Sequence, residues 1–210
     1  MDLTGVGAVG YPSEGAADAL LVLAHGAGAG QRHPFMVALA HGFSRRGTDV
    51  MTFDFPYLRQ HRRLPDRAPV LEQAFLDAIE AAQQWSGAGR LFIGGKSMGG
   101  RIATHLGAGG LAGLRGMLVF GYPLHPPGKP EQLSTIHLPS ISAPVFIVQG
   151  ERDSFGTPQE FVPVLETMAA PVAMHLVQGG DHSLTVRGRR RDHVLDEVLD
   201  AATVWMRQQP

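Results

Sequence analysis

The sequence has no cysteine. That excludes disulfides, thiolate zinc sites and a cysteine nucleophile together. No apolar run approaches the roughly 20 residues of a membrane-spanning helix. The opening Met1-Asp2-Leu3-Thr4 lacks the basic stretch and apolar core of a secretion signal. Charge of one sign is also missing. The formal net charge is −1 over 210 residues, so no whole-protein field draws the chain to nucleic acid or a membrane surface. A cytoplasmic protein without nucleic-acid or membrane partners is the expectation. Internal repeats and low-complexity tracts are absent, and no His, Asp or Glu set shows metal-ligand spacing. Hydrophobic residues make up 44% and charged residues 18%, ordinary for a globular chain. The length suits one domain over 1–210, as monomer or homodimer.

Apolar runs alternate with amphipathic stretches. Strands are expected at Ala19–Ala24, Asp49–Phe55, Leu91–Ile93, Met117–Phe120, Pro144–Val148 and Val172–Val177. Helices are expected at Phe35–Arg46, Pro69–Trp85, Pro158–Met168 and Asp192–Met206, the second with Leu71, Ala74, Phe75, Ala78, Ile79 and Ala82 at helical spacing. Gly5–Tyr11 could add an edge strand. This alternation predicts an α/β fold, with a mostly parallel sheet of six or seven strands covered on both faces. Tyr122 to Ala143 is irregular and proline-rich, too short for a substantial lid.

Directly behind Leu91-Phe92-Ile93 stands Gly95-Lys96-Ser97-Met98-Gly99, followed by Gly100 and a helix-like segment, Arg101 to Leu106. A strand, a tight turn holding one serine and a helix make a nucleophile elbow, in which the flanking glycines let strand and helix approach. Gly95-Lys96-Ser97 also resembles the end of a phosphate-binding loop, but Arg90 stands where that motif needs glycine. In Gly26-Ala27-Gly28-Ala29-Gly30 a dinucleotide spacing fails from either start, at Gln31 or His33. No cofactor is expected.

A serine hydroxyl needs a base, and the base needs an orienting acid. In this fold the order is Ser, Asp or Glu, then His, each partner on a loop after a strand. Asp153 follows the Val145–Val148 run; Glu151 competes but falls close to the strand end. His182 follows the last strand in Gly179-Gly180-Asp181-His182, with Asp181 read as shaping the turn. His175 lies inside a strand and reads as a packed core histidine. His125, His137 and His193 lack a strand-end position. The oxyanion hole is expected from the backbone N–H of Met98 and one in His25-Gly26-Ala27-Gly28, Ala27 first and Gly28 as the alternative.

On these segments, with Gly121-Tyr122-Pro123-Leu124-His125-Pro126 and Gln149-Gly150-Glu151-Arg152-Asp153, the chain resembles small lidless α/β-hydrolases similar to dienelactone hydrolases. The elbow and the Gly121–Pro126 stretch resemble the testis-expressed and NSL-complex hydrolase-like subgroup and its bacterial members. The resemblance implies a Ser-Asp-His hydrolase acting on a small acyl substrate. True dienelactone hydrolases use a cysteine, so their substrate does not carry over.

Ester or thioester hydrolysis through an acyl-enzyme on Ser97 is the leading expectation. A catalytically weak binding or scaffold protein on the same fold is the alternative. Arg59, His61, Arg62, Arg63 and Arg67 form a basic cluster, and Lys96 and Arg101 flank the serine. They fit either an anionic substrate or a solvated surface. Tyr122 to Pro127 reads as pocket lining or as a structural crossover.

Overall fold

The computed structural model describes residues 2–3 and 7–210. Eight strands form one sheet in chain order: β1 Asp2–Leu3, β2 Ala8–Tyr11, β3 Ala19–Ala24, β4 Thr48–Phe53, β5 Leu91–Lys96, β6 Leu114–Phe120, β7 Val145–Gly150 and β8 Val172–Val177. Spatially they run β1-β2-β4-β3-β5-β6-β7-β8. From β4 to β8 every pairing is parallel; β1 and β2 close the edge antiparallel. The expected six or seven strands are thus seven, plus a two-residue edge strand. Gly5 and Val6 of the expected first strand lie outside the described residues, and the strand observed there is Ala8–Tyr11.

The helices are α1 Pro34–Ser44, α2 Pro56–Arg59, α3 Ala68–Trp85, α4 Met98–Ala108, α5 Pro158–Leu165 and α6 Arg191–Gln208. Parallel neighbours need crossovers, and these helices supply them except between β6 and β7, which the irregular stretch 121–144 joins. The single-turn α2 had no periodic signal, since four residues cannot show one. Pro56 and Pro69 sit in the first turns of α2 and α3, where a missing N–H leaves no helix bond unmade.

Alternate residues of β3 separate the two cores. Leu20, Val22 and Ala24 join Phe53, Phe75, Ile79 and Ile102 under α3 and α4. Ala19, Leu21 and Leu23 join Leu39, Phe43, Val198 and Trp205 under α1 and α6. Each fully buried Leu or Phe contributes roughly 1.5–3 kcal/mol, which is why an unbroken apolar run makes a strand covered on both faces.

The strand and helix at the serine differ from the sequence expectation in length. β5 runs on through Gly94, Gly95 and Lys96, which pair in register with Leu118, Val119 and Phe120. Then α4 starts at Met98, so Ser97 alone makes the turn. The irregular stretch after β6 is no lid: Tyr122, Leu124, Leu138 and Ile141 are buried in the core under α3 and α4. The Tyr122 hydroxyl donates to the Ser134 carbonyl at 2.6 Å.

Candidate active site

Ser97 occupies the junction of β5 and α4 with φ 51° and ψ −116°. A non-glycine residue there is strained and persists only where its surroundings dictate it. They do so by leaving no room. A Cβ on Gly95 would lie 2.3 Å from the Ala24 carbonyl oxygen, and one on Gly99 would lie 2.3 Å from the same atom. The Ser97 N–H donates to the Phe120 oxygen at 3.0 Å, tying the turn to β6.

Asp153 and His182 reach Ser97 from the loops behind β7 and β8. His182 Nε2 lies 2.9 Å from Ser97 Oγ, and His182 Nδ1 lies 2.8 Å from Asp153 Oδ2. The Asp153 side chain is fully buried, and that of His182 is 21% exposed. This juxtaposition puts the histidine at the solvent boundary and its acid in the interior. Asp153 Oδ1 accepts the Phe155 N–H at 2.8 Å.

Two residues of this cluster had no reading in the sequence. Gln149, fully buried at the end of β7, donates from Nε2 to Asp153 Oδ2 at 2.9 Å and to the Gly156 carbonyl at 2.8 Å. Its Oε1 accepts the Tyr122 N–H at 2.9 Å. The available signal was an amide closing an otherwise apolar strand, Val145-Phe146-Ile147-Val148-Gln149. Phe155 stacks on the His182 ring with centroids 4.1 Å apart.

The competing acids have other partners. The exposed Glu151 accepts the Gly179 N–H at 2.7 Å, clipping the acid loop to the base loop. Asp181 Oδ1 accepts the N–H groups of Ser183 and Thr185 at 2.8 and 2.9 Å, which builds the turn behind His182. His175 lies in β8, half-buried and stacked on Phe146.

Ser97 opens into a cleft of about 260 Å³, lined among others by Ala27, Met98, Asp66, Arg101, Pro123 and Phe155. Among the described residues no hydrogen bond takes up the N–H of Ala27 or Met98. The loop carrying Ala27 is anchored by His25, whose Nε2 accepts the Phe55 N–H at 3.2 Å and whose Nδ1 lies 2.9 Å from the Gly26 oxygen. Burial pushes the His25 imidazole down, so it is neutral, with its proton on Nδ1. Of the Tyr122–Pro127 stretch, only Pro123 lines the cleft.

Residues 17–208 match the family described as the alpha/beta hydrolase domain. The chain belongs to this family. Solved structures of similar fold include a dienelactone hydrolase from Anabaena variabilis, at 18% identity and TM-score 0.74, with 96% of this chain and 91% of that chain covered. Est1E from Butyrivibrio proteoclasticus, solved with ferulic acid, is 14% identical at TM-score 0.77, covering 96% and 94%. A serine hydrolase homologue from Coxiella burnetii is 13% identical at TM-score 0.76, covering 94% and 89%. At such identities the likeness is one of fold. No helix of the described hydrolase residues is long and apolar enough to cross a membrane.

The two cations beside the serine diverge. Lys96 pairs in register with Phe120, which packs under α1 and α6, so its side chain takes that face. Its Nζ is buried without a hydrogen-bond partner among the described residues. Burial lowers its pKa to about 8, against the pull of Asp153 and Asp181. Arg101, one helical turn after Ser97, lines the cleft instead.

Proposed function

We propose that this hydrolase cleaves an ester or thioester bond of a small acyl substrate through an acyl-enzyme on Ser97. The chain of contacts from Ser97 Oγ through His182 to Asp153, at 2.9 and 2.8 Å, carries the reading. His182 Nε2 takes the hydroxyl proton as Oγ attacks the substrate carbonyl. Asp153 then faces an imidazolium it can stabilise, and its two further donors hold it in that orientation. The new oxyanion is received by the N–H groups of Met98 and Ala27. Collapse breaks the bond to the leaving group, which departs as alcohol or thiol with the proton from His182. Water activated by His182 then attacks the acyl-enzyme, releasing the acid and restoring Ser97.

Within the family the reading extends to the small lidless members similar to dienelactone hydrolases. The motifs Gly95–Arg101 and Gly121–Pro126 support the testis-expressed and NSL-complex subgroup. A fluorophosphonate probe should label wild type and not Ser97→Ala, and Ser97→Ala or His182→Ala should lower ester turnover by roughly 10⁴-fold or more. Equally weak labelling of wild type and Ser97→Ala would remove the hydrolase reading and leave a binding protein.

A further inference from the structure

The cleft at Ser97 has two charged side chains in its wall, Asp66 and Arg101. They are not equivalent. Asp66 is ion-paired, its Oδ1 accepting from Arg62 Nη2 at 2.7 Å, while its Oδ2 is buried without a hydrogen-bond partner among the described residues. Arg101 forms no ion pair among the described residues, and the one hydrogen bond of its guanidinium is a long contact of 3.4 Å from Nη1 to Ser134 Oγ. Its Nε is buried without a partner.

Nearby groups do not offset this charge. Glu72 is engaged by His105 Nδ1 at 2.7 Å. Burial, helped by the charges of His105 and Arg101, pushes His137 down to about 4, so it is neutral. A guanidinium is cationic at every relevant pH and carries five donors in a fixed fork. Leaving that fork nearly empty is unfavourable unless something else fills it.

The position suits a substrate. The Arg101 N–H donates to the Ser97 carbonyl at 3.0 Å, the first turn of α4. Residues four apart share a helix face, offset by about 6 Å along the axis. Arg101 therefore follows the nucleophile by roughly one turn, on the wall of the same cleft. By contrast, Arg63 lies exposed on the connection between α2 and α3.

We propose that Arg101 is the specificity-determining residue of this site, and that the preferred substrate is an ester or thioester bearing an anionic group about one helical turn from the scissile carbonyl. This rests on the hydrolase reading above. It deepens that reading by naming the substrate class. The carboxylate or phosphate would accept a bidentate pair of bonds from the guanidinium.

Matched esters test it in two arms, with Ser97→Ala as the blank for spontaneous hydrolysis. The acyl arm compares the 4-nitrophenyl half-ester of glutarate with 4-nitrophenyl pentanoate. The alcohol arm compares 4-carboxyphenyl butanoate with phenyl butanoate. In at least one arm wild type should favour the anionic ester in kcat/KM. Arg101→Met should reduce that preference roughly tenfold to a hundredfold, mostly through KM. Arg101→Lys should keep part of it, and it serves as the folded comparison if Arg101→Met melts early. Arg63→Ala should keep all of it.

The idea is overturned if wild type shows no preference in either arm, or if Arg101→Met keeps it while Arg63→Ala loses it. Calorimetric binding of glutarate and 4-hydroxybenzoate reads the site without turnover. Arg101-dependent binding in a protein that labels with no fluorophosphonate would retain the anion site and discard the hydrolase chemistry. Labelling without Arg101-dependent binding or preference would do the reverse.

Discussion

The elbow and the two loops that bring Asp153 and His182 are held in opposite ways. The elbow is fixed by absence: where Gly95 and Gly99 stand, a side chain would strike the Ala24 carbonyl. The loops are fixed by presence. Gln149, the Phe155 N–H, the Glu151 carboxylate and Asp181 each supply a bond that holds acid or base in place. One region tolerates no addition and the other no subtraction. The strained Ser97 backbone belongs with the first, because steric walls can enforce a conformation that a few hydrogen bonds cannot.

Adding one methyl to the elbow is the harshest way to probe the difference. Gly99→Ala should cost roughly 3–5 kcal/mol or prevent folding, because the obstacles are backbone atoms that cannot turn aside. Urea unfolding measures it, and a loss under 1 kcal/mol would break the steric account.

Subtraction from the loops should act more on turnover. Gln149→Leu keeps the volume but strips Asp153 of a donor and leaves the buried Tyr122 N–H without its acceptor. Ester turnover should fall about tenfold, mainly in kcat, with stability lower by roughly 1–3 kcal/mol. Unchanged kcat with lowered stability would make Gln149 structural only.

Lys96 gives the smallest effect, and it sharpens the contrast because it belongs to neither scheme. Its folded pKa of about 8 lies below the unfolded value near 10.4. Between the two, the unfolded chain holds the proton and the folded chain does not, so this group makes stability rise with pH from about 8 to about 10. Burial raises the Tyr57 and Tyr122 hydroxyls, which act in the opposite sense at higher pH and close the window. Lys96→Met should abolish the rise and add roughly 1 kcal/mol at pH 7, the relief of a buried unpaired cation. Urea midpoints across pH 7–10 read both, and a wild-type midpoint that is flat over that range would contradict the assignment.

The strands were legible because apolar runs such as Leu20 to Ala24 leave little choice but burial on both faces. Asp153 and His182 were legible because the fold orders its loops along the chain, and the structure brings both to Ser97. Gln149 and Phe155 were not, since their roles exist only once the loop at Gly156 turns back on β7. Nor was the separation of Lys96 from Arg101. Both flank the serine in sequence, but strand alternation sends the first under α1 and α6 while the helix turn brings the second into the cleft.

The cleft also has a division of origin. Ser97, Asp153 and His182 follow directly behind β5, β7 and β8, whereas Pro65, Asp66 and Pro123 come from the stretches joining β4 to α3 and β6 to β7. Loops of that kind accept substitution and length change far more readily than a packed sheet. In the proposed reaction, selection can therefore rework which substrate is preferred while leaving Ser97, Asp153 and His182 untouched.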